Sequence, residues 1–452
     1  MKKRLLLISY NFYPEPTGIG KYNGEMISWF VSKGYDCTVI TSYPYYPYWK
    51  IQEPYYKKRF WYTIEESVDS KSGGSLRIYR CPQYVPAKPS GVKRIILDLT
   101  FFLSAALPLL RLLFSKKIDY VLTIAPSFQI GLLGVLFRKF QGSKFLYHIQ
   151  DLQIEAAQDL KMIKSAKVIN VLFKIENYIL NRSDVVSTIS PGMVAKVKSK
   201  TKKDVLLFPN WTDTNSFYPV KSKTNLKKEF SYLPSDKIVL YSGAIGEKQG
   251  LDSILNIADQ LRNVTDLKFI ICGSGPYKKE LQNLADQLKL HNVNFMPLQD
   301  YSKFNDFLNL ADVHLVIQKA SASDLVMPSK LTTILAVGGL AIITANPGSG
   351  LYSLVKEHNI GVLVEAENTD SLKECILKVI HGEYSEIAGN ARKYAEDYLS
   401  TEEVLLSYQA SIQTGTVAGR EVKHQLVDLP AASESSVSKV STLSSDTSDS
   451  KP

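Results

Sequence analysis

The amino-acid sequence predicts an α/β protein with two doubly wound domains, and three observations support this. The chain has 452 residues, which is too long for one ordinary hydrophobic core. Short apolar or β-branched runs alternate with longer helical patterns twice over, as they do in βαβ units. After about Gly415 the composition changes, and residues 433–450 contain nine serines and little to bury. We therefore expect domains at 1–216 and 217–414, followed by a disordered tail at 415–452.

The candidate strands fall into two sets, each large enough to fill one sheet. The first set comprises Arg4–Ser9, Cys37–Thr41, Leu76–Tyr79, Tyr120–Ile124, Lys144–Ile149, Val185–Ile189 and Val205–Phe208. The second set comprises Ile238–Ser242, Lys268–Cys272, Val293–Met296, Val313–Ile317, Ala341–Thr344 and Val362–Val364. Phe217 to Ser235, between the two sets, is polar and lysine-rich, which predicts a linker region. The last helices, around Tyr384 to Ile412, are expected to pack back on the first domain.

The composition is globular and basic. Hydrophobic residues make up 45% and charged residues 22% of the chain. The net charge of +10 favours anionic partners, such as nucleotide phosphates or an anionic bilayer surface. No nucleic-acid-binding motif stands out, so nucleic acid is not an expected partner. Four widely spaced cysteines without a CxxC pair, and no pattern of a signal peptide, predict a cytoplasmic location.

One apolar stretch raises the question of membrane contact. Leu99 to Leu110 is uncharged and contains Pro108, but it is shorter than the roughly 20 residues of a spanning helix. Basic residues flank it on both sides. Two interpretations remain open, a core helix or peripheral contact with an anionic membrane at the inner face of the cell membrane. The flanking residues are Lys93, Arg94, Arg111, Lys116 and Lys117.

The segment from Pro328 to Thr344, PSKLTTILAVGGLAIIT, carries the clearest chemical pattern. A Pro-Ser-Lys turn precedes an apolar helical run, Gly-Gly ends the run, and a short β-type run follows. This order places backbone N–H groups, a hydroxyl and an ammonium at a helix N-terminus, where the helix dipole favours an anion. The geometry suits a diphosphate. The alternative is a plain capped helix in an α/β domain.

Three glycine-rich loops follow predicted strands. The first contains Gly18 and Gly20; its GxGxxxG spacing, and the absence of an acidic residue after the second strand, disfavour an NAD-dependent enzyme. The second, Tyr241 to Gly250, contains Lys248, which is either solvated surface or a partner for phosphate. The third is Gly273-Ser274-Gly275-Pro276. Ligands of open α/β sheets lie outside the carboxyl ends of the strands, where these loops are expected.

In this order, the motifs of the chain resemble those of the retaining GT-B glycosyltransferases of the group 1 (family 4) kind. The resemblance extends from Leu5 to about Leu406. Two segments, HIQDLQIEAA and PSKLTTILAVGG, are most similar to the colanic-acid fucosyltransferase-like subgroup of exopolysaccharide pathways. The other matching segments are TGIGKYNGEM, KGYDCTVITSYPYYP, FPNWTD, YSGAIGEKQGL, CGSGP and ADVHLV.

The resemblance implies two Rossmann-like domains that face each other across a cleft. The C-terminal domain would hold a nucleotide diphosphate sugar and the N-terminal domain the acceptor. Lys248 and the amides around Ser329 and Lys330 would face the diphosphate. The loop 273–276 would lie by the nucleoside, and Gly18 to Gly20 near the phosphates from the opposite side.

Two positions depart from the family pattern. Thr333 stands where the family usually has a glutamate that binds the ribose hydroxyls; it offers a hydroxyl but no charge. Ala244 stands where the 243–250 loop usually carries an arginine. Both substitutions leave an unusual or degenerate donor site as an alternative.

The segment Tyr147 to Glu155 lies where the family often has a functional His-Asp pair. His148 or Gln150 takes the histidine position and Asp151 the acid position. A carboxylate near the anomeric carbon stabilises an oxocarbenium-like transition state. In the structural alternative, His148 finishes a strand and Asp151 caps the next helix.

The expected reaction is retaining transfer of a hexose or deoxyhexose to a polysaccharide or lipid-linked oligosaccharide acceptor. The chain contains no DxD triplet, so we expect no metal ion and no cofactor. The charge of the leaving group would then fall to Lys248, Lys330 and helix N-termini. The alternatives are a nucleotide-sugar epimerase on the same fold and a non-catalytic subunit of a biosynthetic complex.

Overall fold

The computed structural model describes residues 2–159, 163, 165–319 and 328–414. The predicted tail at 415–452 lies outside the described residues. Within them, the strands form two sheets, one from each half of the chain, as the alternation of patterns predicted.

The first sheet has eight strands in the described residues, in the order β3-β4-β2-β1-β5-β6-β7-β8. All neighbours are parallel except β3 and β4, which pair antiparallel. The strands are β1 (Arg4–Ile8), β2 (Asp36–Ser42), β3 (Thr63–Val68), β4 (Ser75–Cys81), β5 (Tyr120–Ala125), β6 (Lys144–Ile149), β7 (Val185–Thr188) and β8 (Val205–Leu207). The helices are α1 (Gly18–Ser32), α2 (Gly91–Leu113), α3 (Ile130–Gln141), α4 (Gln153–Asp159), α5 (Ala166–Arg182) and α6 (Pro191–Lys198).

The second sheet has six strands in the part of the chain that is described, all parallel, in the order β11-β10-β9-β12-β13-β14. They are β9 (Lys237–Ser242), β10 (Leu267–Cys272), β11 (Val293–Met296), β12 (Val313–Val316), β13 (Ala341–Thr344) and β14 (Val362–Val364). The helices are α7 (Thr224–Glu229), α8 (Asp252–Gln260), α9 (Lys278–Gln287), α10 (Tyr301–Leu310), α11 (Lys330–Ala336), α12 (Gly350–His358), α13 (Thr369–His381), α14 (Ser385–Tyr398) and α15 (Thr401–Thr414).

Both sheets are covered by apolar clusters on both faces, which is why the central strands are continuous apolar runs. In β1, Leu5 to Ile8 are fully buried, with alternate residues in the two clusters of the first domain. This pattern predicted every strand of both sheets except β3.

The long apolar helix α2 differs from its prediction. It extends over 23 residues and passes through the buried Pro108, whereas the sequence suggested a shorter run from Leu99 to Leu110. Burial of one side of the helix against the first domain stabilises it across the proline. After α2, the chain forms the predicted strand β5, a turn and helix α3.

The prediction that Phe217 to Ser235 forms a loose linker is wrong. Phe217 is buried in the second core, and α7 forms within the segment. Composition was misleading here because Lys227 is buried: its ammonium lies 2.9 Å from a carboxylate oxygen of Asp312 and donates to the Asp236 carbonyl.

The last helix crosses back to the first domain. In α15, Leu405 and Tyr408 are buried in the cluster that also covers β1, and the ring of Tyr408 stacks on Phe208 with centroids 3.8 Å apart. A carboxylate oxygen of Glu402 accepts a hydrogen bond from the Trp29 indole at 2.6 Å. Helix α15 thus ties the C-terminal half to the first sheet.

Candidate active site

Two glycine loops of the second domain pack main chain against main chain at the carboxyl ends of β9 and β10. The Ile245 amide donates to the Ser274 carbonyl at 2.9 Å. A Cβ atom on Gly273 would lie 1.9 Å from the Gly243 carbonyl oxygen, and one on Gly275 would lie 2.0 Å from that of Ile245. Glycine is therefore required at 273 and 275 by this close approach. The loop 273–276 is thus held close to the neighbouring loop, and the family resemblance predicts the nucleoside beside it.

Lys330 extends from the start of α11 to these loops. Its Nζ atom lies 3.7 Å from the centroid of the Tyr241 ring and 3.5 Å from the position of a Cβ atom on Gly243. Nζ is buried and has no hydrogen-bond partner among the described residues. Burial lowers the pKa of Lys330 to about 7. A buried cation without an anionic partner is typical of a site that binds an anion.

Three other residues predicted to hold the donor lie in the 241–250 loop or at the start of α11. The backbone of Lys248 lies in a one-turn 3₁₀ helix, Glu247–Gln249, and its side chain lies outside what the structure describes. Ser329 is exposed, and its carbonyl accepts a hydrogen bond from Thr332. Thr333 is half-buried and donates its hydroxyl proton to the Lys330 carbonyl at 3.1 Å. In this arrangement Thr333 offers a ligand only a hydrogen-bond acceptor.

The glycine loop of the first domain is built around a buried carboxylate. Gly18 has a φ of +63° and begins α1, while a Cβ atom on Gly20 would lie 2.5 Å from Oε2 of Glu15. Glu15 accepts hydrogen bonds from the amides of Tyr45 and Tyr46 at 3.0 and 2.9 Å. Burial raises the pKa of Glu15 to about 7, against the effect of these hydrogen bonds. Glu15 thus couples the loop to the segment after β2, a role that the sequence did not reveal.

The two domains meet where α1 and α11 begin. Tyr22, one turn into α1, is buried, and its hydroxyl interacts with the side chain of Thr332 in the first turn of α11. Thr332 follows Lys330 by two residues, and Tyr22 follows Gly18 by four. The structure therefore brings the helix starts that carry the two predicted diphosphate-binding segments to the same part of the interdomain cleft.

His148 lies on β6 inside the core. Its Nδ1 atom is 3.0 Å from the Ser187 hydroxyl, and its ring contacts Phe208 edge-on with centroids 5.0 Å apart. Burial lowers the pKa of His148 to about 3, so its imidazole is neutral. This position favours the structural interpretation of His148 over acid–base catalysis.

Asp151 occupies a more accessible position. It is half-buried, two residues after the end of β6 and two residues before the start of α4. Burial raises the pKa of the Tyr10 phenol well above its usual value, and the negative charges of Asp98 and Asp151 add to the effect. Asp151 is thus close to other polar groups at the carboxyl edge of the first sheet, and its catalytic role stays a prediction.

The sequence analysis missed Asp98 as a member of this group. Asp98 is buried on the inner side of α2, and its Oδ2 atom accepts a hydrogen bond from Gln153 at 2.7 Å. Burial raises the pKa of Asp98 to about 6, opposed by interactions with Gln153, Gln129 and Ser127. One acid within an otherwise apolar helical run was the available signal, because an unpaired carboxylate on a core face is costly.

The described residues contain no group of three or more His, Cys, Asp or Glu side chains placed to hold a metal ion. Asp98 instead interacts with the uncharged side chains of Gln153, Gln129 and Ser127, and with the positive charge of Arg94. The arrangement after β1 and β6 is one that can bind hydroxyl-rich molecules and support positive charge at a carbon atom.

Comparisons with known proteins identify the family of the chain. Residues 222–398 match the family described as Glycosyl transferases group 1, and residues 17–211 match the Glycosyl transferase 4-like domain. The putative colanic acid biosynthesis glycosyl transferase WcaI of Escherichia coli (strain K12) is 37% identical over 417 residues. That similarity covers 90% of this chain and 98% of the relative.

Solved structures show the same fold at low sequence identity. Sucrose-phosphate synthase of Thermosynechococcus elongatus has a TM-score of 0.67 at 17% identity, over 91% of this chain and 99% of that one. HepE of Anabaena, solved with UDP, has a TM-score of 0.64 at 12% identity, over 92% of this chain and 100% of that one. The α/β fold with two domains across a cleft is thus confirmed as GT-B, and the chain belongs to the group 1 glycosyltransferases.

Proposed function

We propose that the chain is a retaining glycosyltransferase that moves a hexose or deoxyhexose from a nucleotide diphosphate sugar, without a metal ion, to a polysaccharide or lipid-linked oligosaccharide acceptor. It would act in the cytoplasm, at the inner face of the cell membrane. The observation that carries the donor side is the buried ammonium of Lys330, which has no hydrogen-bond partner among the described residues.

Lys330 supplies the cation that a diphosphate leaving group needs. The family arginine of the 243–250 loop is replaced by Ala244, and Lys330 reaches the same loop from α11. Burial without an anion disfavours the charged form of Lys330. A diphosphate beside Gly243 restores that charge, and the interaction strengthens as negative charge develops on the leaving oxygen. The amides at Ser329 and Lys330, together with Lys248, would complete the part of the site that holds the diphosphate.

The nucleoside would lie against the loop from Gly273 to Pro276, whose backbone is fixed by its contacts with Gly243 and Ile245. Thr333 would accept a hydrogen bond from a ribose hydroxyl in place of the usual glutamate. Among proteins of the same fold, HepE of Anabaena has been solved with UDP-glucose, and starch synthase IV of Arabidopsis thaliana with ADP and acarbose. These structures support a nucleotide diphosphate donor and leave its base open.

The acceptor would lie in the first domain, beside Asp151 and Asp98. The Asp151 carboxylate would stabilise the oxocarbenium-like transition state, while Gly18 to Gly20 would approach the phosphates from the opposite side. The name of the Escherichia coli relative refers to colanic acid biosynthesis, which supports an exopolysaccharide precursor as the acceptor. The contact of Tyr22 with Thr332 would help to hold the cleft closed and to exclude water.

Calorimetric titration with GDP, UDP and ADP in EDTA tests the donor site. We expect one of these nucleotides to bind, and Lys330→Met to weaken that binding about ten- to hundredfold, since one charge-assisted interaction is lost. Lys356→Met is the matched control, because Lys356 also lies near a tyrosine ring, Tyr352, but is exposed on α12. Unchanged affinity in the Lys330 variant would remove Lys330 from the site.

Turnover separates transfer from its alternatives. A transferase consumes donor only with a glycan acceptor and leaves the sugar of unreacted donor unchanged, whereas an epimerase alters the sugar without acceptor. A non-catalytic subunit binds the nucleotide but neither transfers the sugar nor alters it. Loss of activity in EDTA with recovery in manganese would overturn the metal-independent mechanism.

A further inference from the structure

Helix α2 is apolar on two sides. One side packs on the core of the first domain with residues three or four positions apart, namely Leu97, Phe101, Ala105, Leu109 and Leu112. By length and composition alone the helix is long enough to cross a membrane. Because this inner side is already buried in protein against α3 and the sheet, the helix is held on the surface of the domain rather than free to span a bilayer.

The outer side of α2 is exposed and also apolar. A helix on the surface of a soluble domain normally turns a polar face outward. Here the outward positions are large aliphatic side chains, which form a stripe that continues to a phenylalanine, 90% exposed, just after the helix. The stripe comprises Ile95, Leu99, Leu103, Leu107, Leu110 and Phe114.

A second group of exposed apolar side chains lies beside this stripe. The segment from Tyr56 to Ile64 exposes Phe60 and Trp61, the latter to 73%. The hydroxyl of Tyr62, in the same segment, donates to the Ser104 carbonyl of α2 at 3.1 Å. That contact places the aromatic segment next to the middle of the stripe. Together the stripe and the segment 56–64 form one surface, the α2 surface.

Basic side chains surround the α2 surface. They lie in the aromatic segment, at the start of α2, and at and just beyond its end. All are exposed: Lys57, Lys58, Lys93, Arg111, Lys116 and Lys117. Apolar area with aromatic residues and a basic rim matches the acyl boundary and headgroups of an anionic bilayer, whereas a partner protein gives no reason for this charge pattern.

We propose that the α2 surface docks on an anionic lipid bilayer, with α2 lying along the membrane plane. The docked helix spans about 34 Å at 1.5 Å per residue. Its inner side carries Asp98, which is hydrogen-bonded to Gln153 at the carboxyl edge of the first sheet. On the basis of the proposed function, docking holds the acceptor side of the cleft close to the bilayer, from which a lipid-linked acceptor enters.

Vesicle binding by the full chain tests the docking surface. We expect sedimentation with vesicles of phosphatidylcholine and about 30% phosphatidylglycerol, little with phosphatidylcholine alone, and weaker binding as salt rises. The double variant Leu99→Glu/Leu103→Glu should lower binding at least tenfold. Val168→Glu/Val171→Glu, on the exposed face of α5, is the matched control and should bind as the wild-type chain does.

A measurement on the wild-type chain covers the case in which the double variant does not fold. Brominated lipids should quench the fluorescence of Trp61, and Trp61→Phe should abolish that quenching. No binding to anionic vesicles, or no quenching by brominated lipid, overturns the proposal. So does concentration-dependent dimerisation that the Leu99/Leu103 variant abolishes, because the occupant would then be a second copy. Nucleotide titration is a separate measurement, so docking and the proposed donor site fail independently.

Discussion

The ammonium nitrogen of Lys330 lies 3.7 Å from the centroid of the Tyr241 ring, on the face of the ring. The Tyr241 hydroxyl donates to the Ala244 carbonyl at 2.6 Å, so the ring face, and not the hydroxyl oxygen, meets the cation. A cation–π contact repays only part of the cost of removing an ammonium from water. The described neighbours of Lys330 therefore compensate its charge incompletely, and an anion bound beside it would do so.

Binding of the nucleotide diphosphate should take up a proton above pH 7. Burial lowers the pKa of Lys330 to about 7 without ligand, so at pH 8 this lysine is mostly neutral. A bound diphosphate raises that pKa, and the affinity should fall as the pH rises from 7 to 9, by at most about tenfold per pH unit. Titrations at pH 8 in Hepes and in Tris, whose ionisation enthalpies differ, count the protons.

Lys330→Arg provides the control for proton uptake, because a guanidinium remains charged across this range. The arginine variant should bind without proton uptake and with a flatter pH dependence. Equal proton uptake by the variant and the wild-type chain would place the titrating group elsewhere.

Substitution of Gly273 by alanine should be strongly destabilising. The added Cβ atom would lie 1.9 Å from the Gly243 carbonyl oxygen, and φ is +152°. The two loops must then separate. We expect this separation to lower the free energy of unfolding by about 2–3 kcal/mol and also to weaken nucleotide binding. Thermal unfolding and nucleotide titration measure the two effects.

Gly389→Ala is the matched control for the loop substitution. Gly389 is exposed in α14, and its Cβ atom would meet nothing within 4 Å. This change should stabilise the chain by about 0.5–1 kcal/mol, because alanine favours a helix. Similar melting temperatures for the two variants would show that the loops separate at little cost.

The sheets were predictable because central strands of a doubly wound sheet are buried on both faces and therefore appear as apolar runs. Strand β3 was missed because it is not a central strand and does not show this apolar pattern. It lies at the edge, and most of its side chains, including Glu66, are exposed. Its polar sequence resembles a loop, and only the pairing with β4 makes it a strand.

The places of the glycine loops and of PSKL in the fold were predictable, because these segments follow strands or precede helices in a recognisable order; their role in donor binding stays a prediction. The contacts around Lys330 were not predictable. Lys330 approaches Gly243 only after β9 and α11 are placed together by tertiary packing. Glu15 and Asp98 were missed because their importance depends on burial, which a single acidic residue in a sequence does not disclose.

Asp151 and His148 should respond differently to removal of their ionisable groups. Asp151→Asn should lower kcat about 10²–10³-fold with little change in nucleotide affinity, because the carboxylate would act mainly in the transition state. His148→Asn should instead lower the melting temperature, since the ring packs between Ser187 and Phe208. The fraction of His148→Asn that folds should keep most of the wild-type kcat. A selective loss of kcat in that variant would restore the catalytic assignment of His148.

Glu15 should make the first domain less stable as the pH rises. Burial raises the pKa of Glu15 to about 7 in the folded chain, so the folded state holds a proton that the unfolded state releases near pH 4. The stability that this proton contributes is complete at low pH and is lost as the pH rises through 7. Glu15→Gln removes the dependence and keeps a hydrogen-bond acceptor for the amides of Tyr45 and Tyr46.

Urea unfolding at pH 5 and pH 8 measures this effect through tryptophan fluorescence. All four tryptophans, Trp29, Trp49, Trp61 and Trp211, belong to the first half of the chain. From pH 5 to pH 8, the free energy of unfolding of the wild-type chain should fall by up to about 3 kcal/mol relative to that of Glu15→Gln. Glu66→Gln, at an exposed pair with Arg77, should show no such shift. If both variants changed equally with pH, the Glu15 carboxylate would be ionised in the folded loop, and a negative charge rather than a proton would lie beside Gly20.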